Sequence, residues 1–322
     1  MILIQSLSAD QTTNNVIKWL NKFKCPWIRL NDVVKIKSIN YTNESFIVET
    51  EADGFHFKDI KGYWFRRGEF VHSIKSLKFS NLKFRKKFER YLLEETGSVI
   101  EFLKEQLNEL PHIGSYKSCV NINKHNILIK AKRLGLSVPP FIITDRKINV
   151  LKFLKLQGKI ITKPLHLPFD YHTPYYWYPT YTVSVDEVIV KNLPEQFQTT
   201  LFQKEIEKEF EVRIFYLMGE FYSMAIFSQN NVRTQIDFRV YDYRKPNRKV
   251  PYKIPIDLES KLLRLMEELE LQSASIDVLY SKDHKYYFLE VNPIGQFGMV
   301  SHPCNYFLER KIAEQLNKFE CA

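Results

Sequence analysis

Glycine is scarce in this chain, with 10 residues in 322. No Walker-type loop is present and no Gly-x-Gly-x-x-Gly follows a strand, which excludes two familiar backbone cradles for phosphate. Cysteine is equally sparse. Cys25, Cys119, Cys304 and Cys321 form no Cys-x-x-Cys pair and meet no histidine cluster. A zinc site or a disulfide framework is therefore not expected, and a reducing cytoplasm fits. No run approaches the ~20 apolar residues that span a bilayer. The opening Met1-Ile2-Leu3-Ile4-Gln5 carries no basic segment, so a first β-strand is expected there rather than a signal peptide.

What is present is ordinary globular material with a basic bias. Apolar residues make up 44% and charged residues 26%, enough for two or three lobes with their own cores. The formal net charge is +10, concentrated at Phe84-Arg85-Lys86-Lys87 and in the loop Tyr243-Arg244-Lys245-Pro246-Asn247-Arg248-Lys249. Such a balance favours any anionic partner, whether nucleic acid, acidic peptide or nucleotide, and does not choose among them.

The chemistry concentrates near the C-terminus. Ser275-Ile276-Asp277-Val278-Leu279-Tyr280 and Tyr287-Phe288-Leu289-Glu290-Val291-Asn292-Pro293 read as two apolar strands carrying three metal-seeking side chains. Side chains alternate along a strand, so Glu290 and Asn292 face one way. A two-residue loop at Asp283-His284 would pair Tyr280 with Tyr287 and set Asp277 opposite Glu290. Facing carboxylates repel unless a cation or a proton lies between them. Two carboxylates and an amide form an all-oxygen set suited to Mg²⁺, while a solvated acidic hairpin is the plainer alternative. Ile276, Val278, Leu289 and Val291 are expected to be buried.

Magnesium implies a nucleotide, and lysines stand at the right breaks to hold one. Gly158-Lys159-Ile160-Ile161-Thr162-Lys163-Pro164 is a short strand with Lys163 at its exit. Lys124 opens a helix that closes at Gly135. A third strand, Thr200 to Ile206, runs toward Phe210-Glu211-Val212-Arg213-Ile214-Phe215. Taken singly, each lysine reads equally as solvated charge.

In this order the segments resemble the ATP-grasp superfamily over roughly residues 120 to 315. The resemblance implies ATP and Mg²⁺ (two ions) as cofactors. It places Lys124 and Lys163 on phosphate or adenine, and the stretch Gln203, Lys204, Glu205 and Ile206 at the adenine hinge. Glu211 falls on the ribose, and Asp277, Glu290 and Asn292 on the metals. Arg239, in Ile236-Asp237-Phe238-Arg239, is similar to the arginine placed near the transferred phosphate in ribosomal-S6-type ligases. Arg213 joins it as a candidate to grip carboxylate or phosphate, because the guanidinium fork suits both.

Two further stretches narrow the resemblance. Gly62-Tyr63-Trp64-Phe65-Arg66-Arg67 resembles the Trp-x-Arg-Arg strand of graspetide maturases, and Asn292-Pro293-Ile294-Gly295-Gln296-Phe297 resembles their Asn-Pro-x-Gly-Gln-aromatic run. Gly298 to Tyr306 looks most like the maturase of grasp-with-spasm systems. One departure stands out: Leu165 to Pro179, where many relatives carry a glycine-rich loop, holds no glycine and many aromatic residues. These could line a peptide groove or simply pack as a loop.

The fold expected is therefore α/β (α+β) of ATP-grasp type. It comprises an N-terminal Rossmann-like pre-ATP-grasp domain (1–114), a central α/β lobe (115–195) and a C-terminal antiparallel lobe with the metal site (196–322). A helix from Leu82 to Leu107 is expected to break near Gly97, its Phe84, Phe88, Tyr91 and Leu92 forming one apolar face. A later helix is expected behind an Asp257 N-cap. The resemblance implies a macrocyclase of a ribosomal precursor peptide with a leader and an acidic core. ATP would activate Glu or Asp side chains for attack by Ser or Thr hydroxyls or Lys amines, and the enzyme would act in the cytoplasm, as a homodimer in related enzymes. Nucleic acid and membrane are not expected partners. An ATP-grasp ligase for free amino acids and a non-catalytic nucleic-acid-binding protein are the alternatives.

Overall fold

The computed structural model describes residues 1–43, 45–51, 54–71, 81–120, 122–165, 170–173, 176–179, 182–229 and 246–321. Among these, no helix is long and apolar enough to cross a membrane. The chain forms two compact units. One comprises Met1–Asn121, Leu271–Ser273 and Gln296–Ala322, and the other Ile122–Glu270 and Ala274–Gly295.

The first unit is built on a parallel sheet in the order Trp27–Leu30, Ile2–Gln5, Gly62–Phe65, His112–Ile113. Ile2, Leu3 and Ile4 are fully buried in succession, the signature of a strand covered on both faces. The helix Gln11–Lys22 begins at Asp10, whose carboxylate accepts from the Thr13 amide. The same carboxylate lies 3.4 Å from Arg66 Nε and 3.1 Å from Arg67 Nε. Arg66 is buried, and its guanidinium lies 5.1 Å from the Phe297 ring centroid. A three-stranded antiparallel sheet (Ile36–Tyr41, Phe46–Thr50, Gly54–His56) completes the strands described here.

The helix Leu82–Asn108 runs unbroken for 27 residues, against the expected interruption at Gly97. A Cβ there would meet nothing within 4 Å among the described residues. Exposed glycine costs a helix only about 1 kcal/mol, which the buried Ile100, Leu103 and Leu107 outweigh. The aromatic stripe is a surface stripe: Phe84 and Tyr91 are about half exposed, and the Phe84–Phe88 rings stack at 5.8 Å.

The second unit holds two larger antiparallel sheets and a two-stranded ribbon, Asp170–His172 with Trp177–Pro179. In one of the larger sheets, the order is Val183–Val185, Ile160–Lys163, Gln196–Lys204, Phe141–Arg146. Ile160 and Phe202 face the helices Lys147–Gln157 and Glu187–Asn192 through Val150, Phe153, Leu154 and Val190. The third strand begins four residues before the expected Thr200 and ends at Lys204. Pairing opposite Ile160 stops there, and the Glu205 amide turns to the Lys159 carbonyl. The other sheet runs Arg248–Tyr252, Glu220–Phe227, Lys208–Leu217, Ser273–Ser281, Tyr286–Asn292.

The helix Ile256–Glu268 covers apolar surface with Leu258, Leu262, Leu265 and Met266. Its N-cap is Pro255 rather than Asp257, because the extended proline (φ −61°, ψ 146°) already sets the first turn. Asp257 lies inside that turn, where the helix dipole favours a carboxylate, and pairs with Lys261 at 2.7 Å.

Candidate functional site: a carboxylate hairpin ringed by cations

Asp277 faces Glu290 across the terminal hairpin, and Ser275 faces Asn292. The register reaches that result by a different route from the sequence expectation. The loop has three residues, Lys282, Asp283 and His284, with His284 at φ +58° and the Ser281 amide bonded to Lys285 O. Tyr280 therefore pairs with Tyr286, not Tyr287. A bulge between Asp277 and Val278 on one side, with Leu289 as the extra residue on the other, restores the shift. The bulge also turns Leu289 partly outward and leaves Phe288 and Val291 as the buried pair.

Each carboxylate meets a cation from another element. Strand Lys208–Leu217 neighbours Ser273–Ser281, and its Arg213 forms an ion pair with Asp277. The helix Lys124–Arg133 packs against strand Tyr286–Asn292, whose Phe288 amide bonds to Ser137 O at 2.8 Å. This packing sets Lys124 Nζ 3.2 Å from Glu290 Oε2. Asn292 donates to Glu290 Oε1 at 3.3 Å. Burial and the facing Glu290 push Asp277 above the usual carboxylate range, to about 7, against the pull of Arg213. Glu290 feels burial too, yet Lys124 and Lys163 hold it below its ordinary value.

The lysine strand contributes from the other sheet. Lys163 pairs with Leu201 and Ile161 with Gln203, so these four side chains share the face turned away from Phe202 and Ile160. Lys163 is close enough to act electrostatically on both Glu290 and His125. Gln203 is 1% exposed, and its Nε2 has no hydrogen-bond acceptor among the described residues. A buried orphan donor on this face fits an acceptor supplied by a ligand. Glu211, buried and paired with Lys208, acts on Asp277 from the same strand as Arg213.

Other expected residues fall elsewhere. Lys204 alternates to the opposite face of its strand, with its amide on Pro140 O, and the Glu205 carboxylate accepts from Ser184 Oγ. Ile206 is half-buried beyond the strand end. Arg239 lies outside the described residues.

Sequence reasoning gave no role at the site to three residues of this region. His125 follows Lys124; burial first, then Lys163 and Lys124, holds its imidazole below the usual value and so neutral. The buried Lys208 gave no signal beyond its proximity to Glu211. Gly295 packs so closely that a Cβ would lie 1.9 Å from Ser275 Oγ. Its place just after Asn292-Pro293 was the available clue.

The donors fit a hard divalent cation: two carboxylates and an amide, with no group of three or more His, Cys, Asp or Glu placed to hold a metal ion among the described residues. Lys124, Lys163 and Arg213 exceed the two facing carboxylates by one charge, which suits a polyanionic phosphate chain beside the metal.

No protein-family model matches the sequence, and no curated protein does. Solved structures do match. A RiPP-associated ATP-grasp ligase from Chryseobacterium gregarium, in complex with ADP and a leader and core peptide, is 23% identical, with a TM-score of 0.83 over 99% of this chain and 96% of that one. The macrocyclase MdnC of Microcystis aeruginosa MRC, bound with precursor peptide MdnA, is 24% identical, with a TM-score of 0.78 over 98% and 99%. The ATP-grasp ligase PsnB, complexed with a phosphomimetic variant of a minimal precursor, Mg and ADP, is 16% identical, with a TM-score of 0.72 over 99% and 98%. What this chain shares with them is the fold over essentially its whole length.

Proposed function

From the ATP-grasp fold of this chain, we propose that it is an ATP- and Mg²⁺-dependent macrocyclase of a ribosomally made precursor peptide. The observation that carries the reading is the Asp277–Glu290 pair, set on a buried hairpin and flanked by Lys124, Lys163 and Arg213. The ADP, Mg and peptides named in the matching structures support the same assignment.

A peptide carboxylate is a poor electrophile because its oxygen leaves badly. In the proposed reaction a Glu or Asp side chain attacks the γ-phosphorus of ATP, giving an acyl phosphate and ADP. A Ser or Thr hydroxyl, or a Lys amine, of the same peptide then attacks the acyl carbon. Phosphate departs, a proton is released, and the peptide is lighter by one water. Asp277, Glu290 and Asn292 would hold Mg²⁺, two ions in our assignment, which supplies charge neutralisation at the transferred phosphoryl group. Lys124 and Lys163 would bind phosphate oxygens, and Arg213 would grip phosphate or the reacting carboxylate. Gln203 would offer its orphan donor to the nucleotide, with Lys204, Glu205 and Ile206 as the hinge and Glu211 toward the ribose. Arg239 would act at the transferred phosphate. The partner is a leader-bearing precursor with an acidic core, the protein a cytoplasmic homodimer.

The test is mass spectrometry of the purified chain with ATP, Mg²⁺ and the precursor encoded beside it. Loss of one water per linkage is expected, together with release of ADP. Glu290→Gln should lower modification by orders of magnitude while melting as the wild type does. Near-full activity in that variant would remove the metal assignment, and ATP turnover without dehydration of any acidic peptide would remove the macrocyclase.

A further inference from the structure

The two metal-seeking carboxylates are already engaged, and by the same side chains assigned to phosphate. Arg213 pairs with Asp277, and Lys124 Nζ lies 3.2 Å from Glu290 Oε2. Both pairs are mostly shielded from water: side-chain exposures are 15% and 12% for the first, 32% and 23% for the second. Each joins elements distant in the chain, by 64 residues in one case and 166 in the other. Neither is a surface pair of the kind that contributes little.

Mg²⁺ binds its oxygen ligands at about 2.0–2.1 Å. On the oxygens that now accept from Arg213 and Lys124 it would stand against two like charges in a partly dry site, where their repulsion is strong. The cations need somewhere else to go, and a triphosphate provides it. We infer that Arg213 and Lys124 are exchangeable counter-ions that occupy the metal carboxylates until nucleotide arrives. The phosphates then draw the two side chains away and free Asp277 and Glu290 for the metal. The inference rests on the metal and nucleotide reading above and adds an order to it: metal binds weakly alone and tightly once the cations are withdrawn.

This has an unusual consequence. Removing a cation from the site should strengthen metal binding when no nucleotide is present, although the same change weakens nucleotide binding. The experiment is Mn²⁺ binding to the purified full chain, by equilibrium dialysis and electron paramagnetic resonance, without nucleotide. Arg213→Met and Lys124→Met keep length and apolar bulk and remove charge. Arg264→Met removes an exposed cation from the helix Ile256–Glu268 and reports general electrostatics. The expected result is an increase in Mn²⁺ affinity of about tenfold in Arg213→Met, within the 5- to 150-fold range typical of coupled sites. Lys124→Met should rise severalfold and Arg264→Met should not change.

Equal or lower affinity in both site variants would overturn the exchange, because the cations would then be orienting the carboxylates rather than competing for them. An equal rise in Arg264→Met would overturn it too, as a net-charge effect. If Arg213→Met fails to fold, the partly exposed Lys124→Met decides alone. Wild-type protein that binds no Mn²⁺ even with ATP would sink the nucleotide and metal reading itself. Mn²⁺ binding with ATP, but no gain in the variants, would sink only the exchange.

Discussion

Gly295→Ala is a one-atom perturbation with a large expected effect. An alanine Cβ at this position would lie 1.9 Å from Ser275 Oγ, 2.3 Å from Ser275 Cβ and 2.5 Å from the Ser275 backbone nitrogen. A serine rotamer change relieves only the first contact. The other two involve the strand itself, so the turn that closes with the Gly295 amide on Asn292 O must move. Overpacking of this kind costs about 1–3 kcal/mol, and the displacement falls on the segment that follows Asn292. The substitution should therefore lower the melting temperature by several degrees and also weaken Mn²⁺ binding measured with ATP present. Thermal melts and equilibrium dialysis separate the two effects. Ser275→Gly in the same chain removes Oγ and Cβ but leaves the nitrogen, so it should restore part of both losses. A Gly295→Ala protein with wild-type melting and wild-type metal affinity would refute the reasoning, since no route exists to place that methyl without moving the loop or the strand.

Further outcomes follow from the same geometry. Lys163→Ala and Lys124→Ala should each weaken ATP binding by the equivalent of ~1.5–3 kcal/mol per charge-assisted hydrogen bond lost, read by calorimetry, with precursor affinity unchanged when nucleotide is absent. Because burial, with Glu290 opposite, raises Asp277 to about 7, Asp277 takes up a proton as pH falls through that value. Nucleotide-free Mn²⁺ affinity should then decline from pH 8 to pH 6 and level off above pH 8. Asp277→Asn should bind more weakly and lose this dependence. Charge reversal at Arg244, Lys245 and Arg248 should weaken leader-peptide affinity in fluorescence anisotropy while sparing basal ATP hydrolysis, and the opposite pattern would assign that stretch to the active site.

Much of this site was legible in the sequence, because a strand has a period of two and few other rules. Glu290 and Asn292 had to share a face once Leu289 and Val291 marked an apolar strand, and Lys163 had to stand at the exit of a strand closed by Pro164. Scarcity was informative as well. With so few glycines the phosphate contacts had to come from side chains, of which lysine and arginine carry the needed charge. The opposition of Asp277 and Glu290 was reached in the sequence through a two-residue turn. The protein reaches it through a three-residue turn with His284 in the left-handed region and a compensating bulge at Leu289. Turn geometry depends on one residue's φ and a bulge on local twist, and neither leaves a periodic trace. The continuous helix through Gly97 and the Pro255 cap are of the same kind, small local preferences overruled by what the flanking residues bury.

What tertiary structure alone decided is which charge meets which. The sequence names Lys124, Arg213, Asp277 and Glu290, but the pairs Arg213–Asp277 and Lys124–Glu290 span 64 and 166 residues. They exist because a strand lies beside the hairpin and a helix packs against it. The raised Asp277 and the lowered Glu290 follow from those placements and from burial. So does the orphan amide of Gln203, which no sequence pattern could distinguish from a solvated one. Periodicity reports the direction in which a side chain points. Only the assembled sheet, with water excluded and the neighbouring elements in place, determines what stands opposite it and how strongly the two interact.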